Sequence, residues 1–170
     1  MQQMLTDIYG RISQVLDKAL EGLTPEDVNH QPKPDCNSMG WLTWHITRGQ
    51  DRVMADLMGV EQLWVKDGWH AKFNRPADLE ETGLRHSVED LAAFRSPGVD
   101  TLLGYHHAML ERLNRYIGGV SEAELNRQMD HPRYRTVGAR LAGNIGDNLQ
   151  HAGQVAYLRG QLKGIGWLGA

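Results

Sequence analysis

Apolar residues recur at a helical period in four long stretches of the chain, and no convincing pair of stretches alternates with the two-residue period of a half-buried strand. Leu5, Ile8, Ile12, Val15, Leu16 and Ala19 predict a first helix from about Gln2 to Glu21, stopped by Gly22. Thr24-Pro25-Glu26-Asp27 then opens a short helical turn, with Thr24 as cap and Pro25 at the first position. Met39, Leu42, Ile46, Val53 and Leu57 mark a second long helix over about Met39–Met58, capped by Ser38. His45 lies on the shoulder of that stripe, next to Trp41. Leu102, Leu103, Tyr105, Met109, Leu110, Leu113 and Tyr116 give a third helix a wide apolar face over about Val99–Ile117, ended by Gly118-Gly119. Ser121-Glu122-Ala123-Glu124 starts another short helix, and His131-Pro132 marks a loop before a fourth long helix over about Val137–Leu162.

The connection between the second and third helices runs to about Ser96 and is interrupted by Gly68, Pro76 and Gly83. Short helices are predicted inside it around Glu61–Lys66 and Ser87–Phe94, the latter opened by Ser87 with Asp90 as a capping box. So long a connection suggests a crossover between distant helices of a bundle. The expected fold is all-α, a four-helix bundle forming one domain over residues 1–170.

On the fourth helix, Leu141, Ile145, Leu149, Ala152 and Ala156 form one apolar side. Gly146, Gly153 and Gly160 adjoin it at a regular repeat and would admit another helix closely. Asp147, His151 and Gln154 fall on the opposite side, flanked by Val155, Leu158 and Leu162. That side is either solvated or the lining of a cleft.

Composition narrows the partners. The 41% apolar and 23% charged fractions are those of a soluble globular protein, and the net charge is −3. No basic run or aromatic–basic stripe occurs, so nucleic acid is not an expected partner. No stretch approaches the roughly 18–20 apolar residues that span a bilayer, and the N-terminus reads as an amphipathic helix and not as a signal peptide. The single cysteine, Cys36, allows no internal disulfide, in keeping with a reducing, cytoplasmic setting. It precedes the second helix and reads as an ordinary thiol.

Asp147 and His151 stand four residues apart, so on a helix they share a face with Cβ atoms roughly 5–6 Å apart. A carboxylate oxygen and an imidazole nitrogen so placed can converge on one ion at about 2 Å each. A third ligand must come from another element, and His45 is the natural donor. The spacing alone does not separate a ligand pair from a solvated hydrogen-bonded pair in a chain with 8 histidines. Two histidines and a carboxylate suit Zn²⁺ with an open position, and would also hold Ni²⁺ or Fe²⁺. His106-His107 point about 100° apart on a helix and cannot both chelate easily. His70 reads as a packing residue of the crossover, and His30, His86 and His131 carry no signal. The five tryptophans read as packing groups that could wall a pocket, and Arg48 and Arg159 as salt-bridge residues ahead of the alternative that they face an anionic substrate.

Two segments carry a family likeness. Trp41-Leu42-Thr43-Trp44-His45-Ile46-Thr47-Arg48 resembles the tryptophan-rich W-x-x-W-H-x-x-R motif of DinB-like proteins, and His151-Ala152-Gly153-Gln154-Val155-Ala156-Tyr157-Leu158-Arg159-Gly160 resembles their fourth-helix run. Trp69-His70-Ala71-Lys72-Phe73 and Ala92-Ala93-Phe94-Arg95-Ser96-Pro97 are also similar, so the likeness spans essentially the whole chain. It implies a bundle of up-down-down-up order with a divalent metal near one end, held by His45, Asp147 and His151. Relatives carry histidine or glutamate where this chain has Asp147, and the shorter aspartate would draw the ion closer to the fourth helix.

The resemblance further implies a metal-dependent thiol S-transferase or related isomerase, acting on a low-molecular-weight thiol and an electrophile, with Gln154 holding a bound water or a ligand oxygen. A homodimer is implied too, with the apolar tail Gly164–Leu168 taking part. The rival expectation is a non-catalytic stress-response or ligand-binding bundle. A metal-dependent hydrolase ranks last, because no Glu accompanies a ligand histidine in an HExxH arrangement.

Overall fold

The four predicted long helices form the frame of the computed structural model, which describes residues 1–167. Leu168, part of the apolar tail, lies outside the described residues. In chain order the helices are α1 (Gln2–Leu20), α2 (Pro25–Asn29), α3 (Met39–Met58), α4 (Leu63–Lys66), α5 (Trp69–Lys72), α6 (Val88–Ala93), α7 (Val99–Gly119), α8 (Glu122–Asn126) and α9 (Val137–Lys163). The architecture is all-α: among the described residues the extended pairing is an isolated antiparallel bridge, Gln128 to Thr136.

Each of α1 and α3 packs against both α7 and α9. Hydrogen bonds fix the directions. Tyr9 Oη donates to Asn144 Oδ1, and Arg159 donates to the Glu21 carbonyl, so α1 and α9 run parallel. Gln2 reaches the Val120 carbonyl while His107 meets Asp17, so α7 runs against α1. His45 faces Asp147, and Arg140 pairs with Asp56, so α3 runs against α9. Relative to α1, then, α3 and α7 run down and α9 runs up.

Local chemistry explains the ends. Ser38 Oγ accepts from Trp41 N at the start of α3, and Gly59 closes it in the left-handed conformation at φ 64°. Thr136 caps α9 through Ala139 N. Three departures from the sequence reading follow from tertiary context. α7 continues through Gly118-Gly119, whose surroundings are open. α5 forms in the crossover where no helix was predicted, with its Trp69 indole stacked on Tyr105. The buried residues of α9 are Val137, Arg140, Leu141, Asn144, Asn148, Ala152 and Val155, which include an arginine and two asparagines. Leu149 is correspondingly exposed, and a Cβ at Gly146, Gly153 or Gly160 would meet nothing within 4 Å among the described residues.

The crossover is bound to α3 by polar side chains that are themselves buried. Asp51 accepts from the Leu63 and Trp64 amides at 2.9 and 2.8 Å, satisfying the N-terminus of α4. It also accepts from Tyr105 Oη at 2.7 Å and lies 3.4 Å from Arg112. Arg48, fully buried, directs its guanidinium to the carbonyls of Glu81, Asp78 and Leu79, to Gln62 Oε1 and to Tyr105 Oη. It is therefore a clamp on the crossover backbone, with Asp51 3.7 Å away, more than the simple ion pair its sequence suggested.

On α7, His106 and His107 diverge as expected. His107 meets Asp17 at the surface, whereas His106 is fully buried. Thr47 spends its hydroxyl proton on the Thr43 carbonyl, so it accepts from His106 Nδ1–H, leaving His106 Nε2 without a partner. Burial pushes the His106 pKa down from 6.5 to about 4. Between those values the unfolded chain binds the extra proton, so stability conferred by the neutral ring is present above pH 6.5 and lost as pH falls toward 4. We expect this group to remove about 2 kcal/mol of stability between pH 7 and pH 5, read from urea unfolding. His106→Leu should flatten the pH dependence by that amount, and an unchanged slope would refute the assignment.

Candidate metal centre

Three side chains from opposite ends of the sequence meet on the α3/α9 seam. His45 comes from the second turn of α3, and Asp147 and His151 from successive turns of α9. One ligand atom from each lies within 4.8 Å of the other two. Two bonds of about 2.1 Å to a common ion span up to about 4.2 Å, so the cluster is within a small side-chain adjustment of a coordination site. His45 Nε2 is 3.9 Å from Asp147 Oδ2, and His151 Nε2 is 3.5 Å from Asp147 Oδ1. His45 is buried, whereas the Asp147 side chain is 46% exposed, so the cluster opens to solvent at the carboxylate.

The hydrogen bonds behind the rings set their tautomers. The Thr82 carbonyl can only accept, so His45 carries its proton on Nδ1 and turns the Nε2 lone pair toward Asp147 and His151. Gln154 Oε1 lies 2.7 Å from His151 Nδ1 and prepares that ring in the same sense. Histidines that ligate metals characteristically hold their second nitrogen this way. The Trp41 indole lies flat on His45, with centroids 4.8 Å apart and planes 9° from parallel.

Electrostatics divides the three groups. Burial is the main cause that lowers the His45 pKa, partly offset by the bond to Thr82. The hydrogen bond with His151 holds the Asp147 carboxyl below its ordinary range, and the same contact raises the His151 pKa. His45 is thus biased to the neutral form, and Asp147 and His151 to an ion pair.

The structure brings together all three ligand candidates. Asp147 and His151 flank the buried stripe of α9 and are half-buried against α3, whereas Gln154 is exposed, so this side is neither fully solvated nor fully enclosed. Gln154 contacts His151 directly. Sequence reasoning missed the crossover's share. Thr82 acts through its backbone carbonyl, which no side-chain pattern announces. His86, read as carrying no signal, accepts from Trp41 Nε1 at 3.0 Å through Nδ1. The crossover passes so near α3 at Gly83 that a Cβ there would lie 2.6 Å from the Trp41 ring and 2.8 Å from Trp44.

Comparison with known proteins places the family and the fold. The family profile described as the DinB superfamily matches residues 9–155. A crystal structure of a conserved protein from Enterococcus faecalis superposes with a TM-score of 0.87 at 25% sequence identity, covering 97% of this chain and 98% of that one. No curated protein matches the chain.

Gly83 provides a test of the crossover contact. Its φ of 83° and the adjacent indoles both oppose a side chain, whereas Gly59, at φ 64°, has nothing near it. Gly59→Ala should cost about 1 kcal/mol, and Gly83→Ala about 2 kcal/mol or more. Equal costs in urea unfolding would show that the crossover does not press on Trp41 and Trp44.

Proposed function

Taking as premise that this chain belongs to the DinB superfamily, we propose that it binds one divalent ion, Zn²⁺ in preference to Ni²⁺ or Fe²⁺, through His45, Asp147 and His151, and activates a small thiol there as an S-transferase or related isomerase. The observation that carries the reading is the convergence of the three donors around an opening at Asp147. Two neutral imidazoles and one carboxylate leave a net charge of +1 with a divalent ion, which favours an anionic further ligand. When bound, the ion supplies the positive charge that lowers the pKa of a thiol or water at the remaining position.

The chain's own residues do the rest. Thr82 and Gln154 keep the two Nδ1 protons directed away from the centre, so both Nε2 lone pairs face inward. Trp41 shields one face of His45 from water. The amide nitrogen of Gln154 is assigned to a ligand oxygen. The proposal includes a homodimer in a reducing, cytoplasmic setting, with light scattering as the test of assembly. Among the described residues, no helix is long and apolar enough to cross a membrane.

A second reading, a non-catalytic metal-binding or ligand-binding bundle, draws on one feature: Asp147 faces both imidazoles and already compensates them. Turnover of low-molecular-weight thiols with electrophiles separates the two.

The shared premise is tested by elemental analysis of protein purified without a metal-affinity tag. One equivalent of metal is expected in the wild type and a loss of stoichiometric metal in His151→Ala; equal metal in both removes His151 from the site. Binding must also displace the proton that Asp147 favours on His151 Nε2. Zn²⁺ affinity should therefore rise with pH through the raised His151 pKa, and competition titrations giving the same affinity at pH 6 and pH 8 would contradict ligation by His151.

A further inference from the structure

A chain of polar contacts in the crossover ends on the ring of His45. Arg75 reaches Glu81 Oε2 through Nε at 2.9 Å and Nη2 at 2.8 Å, which leaves Oε1 free for other partners. Glu81 Oε1 lies 2.9 Å from His86 Nε2 and also accepts from Gly83 N at 3.2 Å. An indole nitrogen can only donate, so His86 Nδ1 accepts from Trp41 Nε1 and the His86 proton sits on Nε2, directed at Glu81. Trp41 thus donates to His86 and His86 to Glu81, and the carboxylate of Glu81 accepts from Arg75 on its other oxygen.

Trp41 is the last link. Its indole covers the imidazole of His45 nearly in parallel, while the Thr82 carbonyl fixes that imidazole at its edge. Thr82 alone would let the ring swing about the Nδ1 contact. The flat indole removes that freedom, and the indole is in turn fixed at its nitrogen by His86. The same short segment, Glu81 to His86, supplies the carbonyl, the acid and the imidazole.

We propose that His86 and Glu81 are positioning residues that set the ring plane of His45 through Trp41, so that the crossover orients the α3 ligand. The proposal rests on the reading that His45 ligates a divalent ion. Neither residue touches that ion, and the role asked of them is orientation.

Two experiments test it. In the metal-free protein, long-range proton–nitrogen NMR correlations should show His86 as the Nε2–H tautomer and His45 as the Nδ1–H tautomer; His86 as the Nδ1–H tautomer would overturn the chain whether or not any variant folds. With Co²⁺ as the probe, His86→Leu should weaken binding about tenfold, as loss of outer partners does at other metal sites, and change the visible ligand-field bands. His86→Gln, which retains an acceptor and a donor, should restore both. Wild-type affinity and spectrum in His86→Leu would overturn the positioning role and leave the metal reading standing. A wild type that takes up no Co²⁺ would overturn both.

Discussion

The buried hydrogen bonds from polar side chains of α3 to the crossover backbone are the constraint on which the site depends. His45, Arg48 and Asp51 succeed one another at three-residue intervals along one side of α3, and all are buried. Each is bound to crossover backbone: His45 to the Thr82 carbonyl, Arg48 to the carbonyls of Asp78, Leu79 and Glu81, and Asp51 to the Leu63 and Trp64 amides. Burying a guanidinium and a carboxylate is costly unless their hydrogen-bonding capacity is met. Here it is met largely by main chain that would otherwise lack partners. The clamp thus satisfies the crossover and neutralises the charges at once.

The consequence for function is preorganisation. A carbonyl in a free loop would not hold an imidazole in one tautomer. Thr82 sits between Glu81, held by Arg48 and Arg75, and Gly83, pressed against two indoles, so its carbonyl has a defined place. The α9 side is built differently. Asp147 and His151 interact with each other across one helical turn, and Gln154 continues the row to a third residue. One half of the centre is rigid and buried, and the other is half-exposed and local, which leaves α9 as the side able to adjust to an incoming group.

Much of the fold was legible because helix signals are local. Ser38 and Gly59 bracket α3 chemically, and its predicted bounds coincide with the observed ones. The face of α9 was harder to read. Asn144 and Asn148 occupy its buried stripe, with Asn144 Oδ1 accepting from both Tyr9 Oη and Asn148 Nδ2, while Leu149 points to solvent, so a polar–apolar count rotates the helix away from its true seat. The candidate ligand trio was legible through its residue types and family likeness. Its support was not, because Thr82 contributes a backbone atom, and His86 gains its role from a contact 45 residues away. Likewise Arg48 read as a salt-bridge residue, and its main role, binding crossover carbonyls, depends on backbone atoms that no side-chain pattern marks.

The central claim is that the crossover and α3 form one cooperative unit through Asp51 and Arg48. Native-state hydrogen exchange at the Leu63 and Trp64 amides tests it most directly, since both donate to Asp51. If the account is right, these amides open only with the whole bundle, at the free energy of global unfolding. Exchange of both through a low-energy local opening, while the core amides of α3 and α7 remain protected, would contradict it.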